Sequence, residues 1–575
     1  MTHELPVLLV LLPLLGAVFA LAVNMVREEK HQRKLEWLAA GTGLLGPLIV
    51  LFILLPQVRE GSIIFTVGNR GSVLGIDQKF DGLSWLVDLM GFSTLLVIWI
   101  YTRGAGPRGA LFTTLFLIQT SAMAAMGSCA DLFNLFVCFE VLGIANYALV
   151  ALAEKPKAFL AAFNYLAISS ASLTFFLLGV FGFYRLTGSL SYEGIVRGLS
   201  LLPDGGGITA RLSLACIAAA ALVRVALMPL AGWLPDAHGA APHAVTAVGC
   251  GMLLKPPLFA LGKFLLAFST ADQVVKGIAT PLWTALGALG TATALGGVIF
   301  ALSQSDVKRL LAYHSISQVG YVISAWALAS PLGMAAAFLH AFFHAMFKGL
   351  LFITIGTASD AGANRDVYTY RGAAGILSRA GDKQGVTVIC FFVAALSIAA
   401  IPPFSGFASK HSDIHSLEHS PWQYTQLSLV GIGTMASMIK LSRIFFGAPQ
   451  KDAASHSHKP SPKPYRVVFP IKFSMVLLAV PCALLGIFSL PLGRFVGSLL
   501  GAEHGPVPEE LFSLSSLAHS LVYLAGAVAL YAALSSKYGK ALTHRIRDLP
   551  QGSYGTMAGF AAALCLLAGA LWIRP

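Results

Sequence analysis

Runs of about twenty apolar residues, separated by short polar turns, recur along nearly the whole chain. An α-helix rising 1.5 Å per residue needs that length to cross about 30 Å of hydrocarbon. The pattern places spans near 6–26, 35–55, 83–102, 109–128, 131–153, 159–186, 213–234, 243–268, 281–303, 308–328, 333–358, 386–408, 422–446, 469–490, 513–535 and 556–573. An all-α polytopic membrane protein of about 14–16 transmembrane helices is therefore expected. The first run, Pro6 to Val26, follows no basic stretch and precedes no cleavage-like site, so it reads as a span. One stretch, Ser62 to Gly75, carries a Gly-Asn-Arg-Gly turn between β-type residues and is expected to form a small hairpin on one membrane face.

Two spans carry breaks. Pro229-Leu-Ala-Gly232-Trp233 and Pro402-Pro403-Phe-Ser-Gly406-Phe407 share Pro-x-x-Gly-aromatic in mid-span. They lie five spans apart and so cross in opposite directions. That is the mark of an inverted repeat, whose discontinuous helices bracket an ion or substrate site near the midplane. The expected organisation is two inverted five-helix repeats containing broken helices 7 and 12. Residues 1–108 hold N-terminal spans and an extracytoplasmic hairpin, 109–268 the first repeat and 281–447 the second. A cytoplasmic linker at 448–466, rich in Ser, Pro, His and Lys, leads to C-terminal spans at 467–575.

Composition agrees with a lipid-embedded chain: 56% hydrophobic, 11% charged, mean hydropathy +0.75 over 575 residues. The net charge of +13 sits mainly in alternate loops, around 27–34, 103–108, 155–157, 308–309, 365–383, 443–472 and 537–547. The positive-inside rule then puts the N-terminus outside. No basic block is interleaved with aromatics, which argues against nucleic-acid binding. The seven cysteines form no CxxC and no Cys/His cluster, so neither a metal site nor an iron–sulfur site is expected.

Against this background a few ionisable residues stand out. Arg224 and Lys255 sit inside spans, where a cation costs roughly 2.5–3.5 kcal/mol on insertion scales, so each needs a partner, water or a task. Glu140 lies about 13 Å into its span, where it reads either as a static structural ion-pair member or as a moving charge. Lys255, near the middle of its span, could lose and regain a proton in an apolar setting; snorkelling to the interface is the blander reading. His340, His344 and Lys348 follow at four-residue spacing and share one helix face, a pattern suited to a proton relay. Lys410 lies just past the second break, either at a polar exit or as an ordinary interfacial lysine. His411, His415 and His419 extend that polar face without a recognisable zinc set.

These residues together resemble the antiporter-like membrane subunits shared by respiratory complex I, membrane-bound hydrogenases and Mrp-type cation/proton antiporters. The resemblance covers about Asp81 to Gly447. DLFNLFVCFEVLGIANYALVAL resembles the fifth-helix segment of the D-type Mrp protein, and VRVALMPLAGWLPDAHGAAPHAVTAVGCGMLLK its seventh and eighth helices. SDVKRLLAYHSISQVGYVISA, HAFFHAMFKGLLFITIG and IPPFSGFASK resemble the tenth, eleventh and twelfth. The resemblance implies a proton path along the midplane, coupled to cation exchange or redox energy, with other membrane subunits as partners. It implies that Glu140 partners the seventh-helix cation at Arg224, Lys255 is the central lysine, His340 and His344 link onward, and Lys410 is terminal. It implies no prosthetic group in this subunit.

The chain departs from that pattern at three places. The seventh-helix cation is arginine, which does not release its proton and so can bias a relay but not hand a proton on. Pro256 and Pro257 directly follow Lys255 and should kink or open its helix. Only about 20 residues, Ser536 to Tyr554, separate the last two expected spans, too few for a long lateral helix. Two alternatives stay open on sequence: a stand-alone secondary solute transporter, and a non-pumping scaffold of the same family.

Overall fold

In the computed structural model the described residues are 2–26, 28–67, 76–418, 420–448, 465–549 and 555. Among them, thirteen helices are long and apolar enough to cross a membrane, from Glu4–Ala22 to Leu514–Ser535. The protein is an all-α, multi-pass integral membrane protein. Val307–Trp326 is as long as these but carries buried Lys308, His314, Ser315, Ser317 and Gln318, which lower its hydropathy. The expected span at 386–408 consists of two helices, Val386–Ile398 and Ser405–Ser416. The expected last span and most of the 448–466 linker fall outside the described residues, as does the Gly-Asn-Arg-Gly turn.

The hairpin strands are β1 (Ile63–Val67) and β2 (Ile76–Phe80), antiparallel with Ile63 opposite Phe80 and Val67 opposite Ile76. The second strand thus begins just beyond the 62–75 stretch. Its register buries Gln78 and Phe80 together on one face.

Short turns are built on aspartate caps. Asp131, Asp272 and Asp306 each accept two backbone N–H groups at a helix start, and Asp81 forms a reciprocal box with Ser84. Contacts sort the loops onto two faces. Lys263 donates to the Lys79 carbonyl, Gln78 bridges Cys129, and Asp131 bridges Ser191, which gathers the hairpin and three turns on one side. Arg365 meets Asp306 and the Gly239 carbonyl, and Lys308 meets the Ala241 carbonyl, which gathers another set. In the loop before the last expected span, the amphipathic helix Lys537–Arg547 is only 11 residues long. Burial falls from the centre outward. The most apolar window of His243–Ser269 is 100% buried and that of Pro331–Gly362 94%, against 6% for Leu514–Ser535. The titratable residues singled out above lie chiefly on the first two of these helices and on those packed around them.

Candidate functional site

Helical hydrogen bonding stops twice where the sequence has its prolines. Gly207–Val225 ends at Ala226 (φ 57°), and the chain resumes as Trp233–Ala240 beyond Pro229 and Gly232. Val386–Ile398 is followed by Ala400 (φ 58°), and the chain resumes as Ser405–Ser416 beyond Pro402 and Pro403. A left-handed alanine thus precedes Pro229 and Pro403 by the same interval in both breaks. Freed backbone groups at such depth need partners inside the protein. In the first break the Trp233 indole donates to the Val223 carbonyl at 2.9 Å, and the Met228 amide donates to Thr293 Oγ1 at 3.1 Å. In the second, Lys410 Nζ donates to the Ile398 carbonyl at 2.7 Å, placing a cation at the negative end of the preceding half-helix. Gly406 packs so closely on the Ser397 carbonyl that a side chain there would overlap it.

Lys255 is 1% exposed. Pro256 and Pro257 cannot donate to the carbonyls one turn back. The helix answers with a π-helical segment, Gly249–Leu253, and restarts at Lys255. The ammonium folds back onto this segment, donating to the Gly251 carbonyl and, at 3.4 Å, to that of Cys250. The π-helical segment thus ends just before Lys255 and the proline pair.

His340, His344 and Lys348 are each fully buried on one helix. The His340 and His344 rings lie 6.3 Å apart at 26°. His340 Nδ1 is 2.9 Å from Ser409 Oγ and 3.7 Å from Asp413 Oδ2, both on the Lys410 helix. The Tyr321 ring lies 5.6 Å from His340 and 5.0 Å from Lys410 Nζ. His344, His340, Ser409, Asp413 and Lys410 therefore form one buried polar cluster. Lys410 also opens on a cavity of about 100 Å³ that His411, His415 and His519 line. His419 lies outside the described residues. Lys348 donates to the Leu311 carbonyl at 2.5 Å.

Arg224 and Glu140 are not joined. Arg224 is 3% exposed, yet none of its guanidinium nitrogens has a hydrogen-bond partner among the described residues. Its guanidinium lies 5.4 Å from the centre of the Phe139 ring, and no Glu140 oxygen comes within ion-pair distance. Successive residues are 100° apart on a helix. Turning Phe139 and Gly143 toward Arg224 leaves Glu140 on the half-buried flank.

Sequence reasoning missed several buried polar groups: Ser409 and Asp413 beside Lys410, His314 bonded to Ser437 Oγ at 2.7 Å, and fully enclosed Lys308 and Asp88. Asp413 was within reach of sequence logic, since it follows Lys410 by three residues and so shares its face. Asp88 likewise follows the Asp81 cap by two helical turns.

Residues 129–440 match the NADH:quinone oxidoreductase/Mrp antiporter transmembrane family. The chain is 32% identical over 512 residues to the NADH-quinone oxidoreductase subunit N of Desulforudis audaxviator, covering 86% of this chain and 96% of that one. It is 27% identical over 450 residues to the D-type Na(+)/H(+) antiporter protein of Alkalihalophilus pseudofirmus, covering 77% and 88%. The fold superposes on a chain of the Mrp complex from Dietzia sp. DQ12-45-1b with TM-score 0.74 at 22% identity, covering 91% of this chain and 99% of that one. It superposes equally, with TM-score 0.74, on a chain of the membrane-bound sulfane sulfur reductase, an archaeal respiratory membrane complex. A match over more than half the chain, backed by a relative covered almost end to end, decides the matter: the protein belongs to the NADH:quinone oxidoreductase/Mrp antiporter transmembrane family.

Proposed function

We propose that the chain is a proton-translocating subunit of a multisubunit membrane complex. Protons move along a row from Lys255 through His344 and His340 to Lys410, coupled to cation exchange or to redox energy supplied by partner subunits. The observation that carries this reading is the unbroken burial of the row, with its two histidines stacked and joined to the Lys410 helix through Ser409 and Asp413. A buried histidine ring can accept a proton at one nitrogen and release one from the other, and lysine supplies a compact charge at each end. Relatives named as subunits of a Na(+)/H(+) antiporter and of an NADH-quinone oxidoreductase support membrane subunits as the partners.

Arg224 acts as a fixed charge. Glu140 swings toward or away from it and so changes the field at Lys255. A charge pair at about 4 Å is worth about 4 kcal/mol at an effective dielectric of 20, enough to move a proton on or off a lysine. The two interrupted helices, with matching left-handed alanines and prolines, support two inverted repeats meeting at the row. Charge in the loops supports an outside N-terminus in a prokaryotic cytoplasmic membrane.

The test is proton uptake by membrane vesicles carrying the complex. Lys255→Ala is expected to abolish uptake while the subunit still assembles. Uptake at the wild-type rate in that variant would refute the row.

A further inference from the structure

Two features that the row does not use meet beside the proline pair that follows Lys255. The helix Gly82–Ala105 carries Asp88, 3% exposed, whose Oδ2 has no hydrogen-bond partner among the described residues. Asp88 lines a cavity of about 10 Å³ together with Gly91, Thr120, Met123, Met252 and Pro256. That is the size of a single water site. Met252 belongs to the π-helical segment and Pro256 to the proline pair. A second cavity of about 10 Å³ lies against Pro257 and is lined by Arg224, Asn146 and His238. The proline pair that follows Lys255 thus has a carboxyl-lined cavity against Pro256 and a guanidinium-lined one against Pro257.

Their chemistry differs. A guanidinium keeps its proton, so Arg224 can bias Lys255 but cannot exchange with it. A buried carboxyl with a free oxygen can do so. Asp88 is also linked to the hairpin face. Lys263 lies 3.2 Å from Asp81 Oδ1 and donates to Ser84 Oγ at 2.8 Å and to the Gly127 carbonyl at 3.0 Å. A Cβ on Gly127 would stand 3.0 Å from Asp88 Oδ1, so the Lys263 cluster and Asp88 adjoin. The Met252 methyl, 3.2 Å from where a Gly91 Cβ would lie, is a flexible plug in the wall of the cavity.

We propose that Asp88 is a proton-carrying group that serves Lys255 from the hairpin face, through the gap at Pro256. This rests on the row reading above. In the step, the Asp88 O–H bond breaks toward a water in the cavity, and a proton passes on through the gap at Pro256 to the lone pair of Lys255 Nζ, forming an N–H bond. The carboxylate then regains a proton from the hairpin side, and the sequence runs in either direction.

The test uses vesicles carrying the chain with its native partner subunits. Proton influx is driven by a valinomycin–potassium diffusion potential, and the amount of chain in the membrane is measured in parallel. Asp88→Asn is expected to lower influx by about tenfold or more, and Asp88→Glu to retain it. Asp88→Ala should lose influx and regain it when formate is added, which a merely structural role would not produce. The double variant Pro256→Ala/Pro257→Ala, which closes the helix, should lose influx with Asp88 still in place. Wild-type influx in Asp88→Asn, alongside loss in Lys255→Ala, overturns the role of Asp88 and leaves the row standing. Wild-type influx in Lys255→Ala overturns the row itself. Should Asp88→Asn fail to reach the membrane, absence of formate rescue or full influx in the proline variant overturns the assignment.

Discussion

Replacing Lys263 by methionine is expected to loosen the hairpin face. The ammonium holds four groups on three elements at once: the Lys79 carbonyl at 2.9 Å, Ser84 Oγ at 2.8 Å, the Gly127 carbonyl at 3.0 Å and Asp81 Oδ1 at 3.2 Å. Methionine fills the same volume and leaves the Asp81 carboxylate and two carbonyls without that partner. Breaking a buried pair from one side costs about 3–5 kcal/mol. The Asp81 side chain is 28% exposed and keeps the Ser84 amide, so the low end, about 3 kcal/mol, applies. At about 1.4 kcal/mol per tenfold, that is roughly a 10²-fold rise in local opening. Hydrogen exchange reads it directly: amides of β2 and of the first turn of Gly82–Ala105 should exchange about 10²-fold faster, with the Pro331–Gly362 helix unchanged. The double variant Asp81→Asn/Lys263→Met, which leaves no lone charge, should recover part of the loss. The pH dependence has a definite sign. Burial pushes the Asp81 carboxyl up, but Lys263 and the Ser84 hydrogen bonds outweigh it and hold the group below its ordinary value of 3.8. Its contribution is therefore complete above that value and is lost as pH falls through the lower folded one. In the wild type, the fast exchange seen in the variant should appear only in acid. Unchanged exchange in Lys263→Met at neutral pH would refute the view that this cation ties the face together.

Two glycines test the site by steric means. A Cβ on Gly143 would lie 2.5 Å from Tyr147 Oη and 2.8 Å from Arg224 Nη1. Gly143→Ala should therefore displace the guanidinium at a cost of about 1–3 kcal/mol, lowering proton influx in vesicles without loss of assembled chain; full influx would show that the position of Arg224 is immaterial. At Gly406 the obstacle is the Ser397 backbone carbonyl, which cannot rotate aside. Gly406→Ala should cost about 3 kcal/mol or more and reduce the monodisperse fraction in size-exclusion chromatography; an unchanged profile would show that the second break tolerates a wider spacing.

What could be read from the sequence, and what could not, follows from the physics of each residue. Span positions were legible because hydrocarbon demands long apolar runs, and the interruptions at Pro229 and Pro402–Pro403 because proline removes a donor that lipid cannot replace. The irregular helix at Lys255 followed from Pro256 and Pro257 for the same reason. Rotational position was harder to see. Glu140 and Phe139 are neighbours in sequence, and only packing decides which of them faces Arg224. Lys308 reads as a loop cation because it stands next to the Asp306 cap, yet the turn carrying Ala241 covers it completely. Asp88 passes unnoticed in a run that opens with the Asp81 cap, since its burial comes from the neighbouring helix, which brings Gly127 against it.

The stacked histidines explain why a row of this kind would move protons one at a time. Two positive rings 6.3 Å apart repel by about 2.6 kcal/mol at an effective dielectric of 20. Double protonation of His340 and His344 is therefore disfavoured by nearly 10²-fold relative to independent rings. In the proposed row, a proton arriving at His344 from Lys255 would favour release from His340 toward Ser409 and Asp413, and so toward Lys410. Asp413 Oδ2 lies 3.7 Å from His340 Nδ1 at that end of the pair. In the proposed row Arg224 would be a fixed charge, and the position of Glu140 would gate proton movement without Glu140 carrying a proton itself.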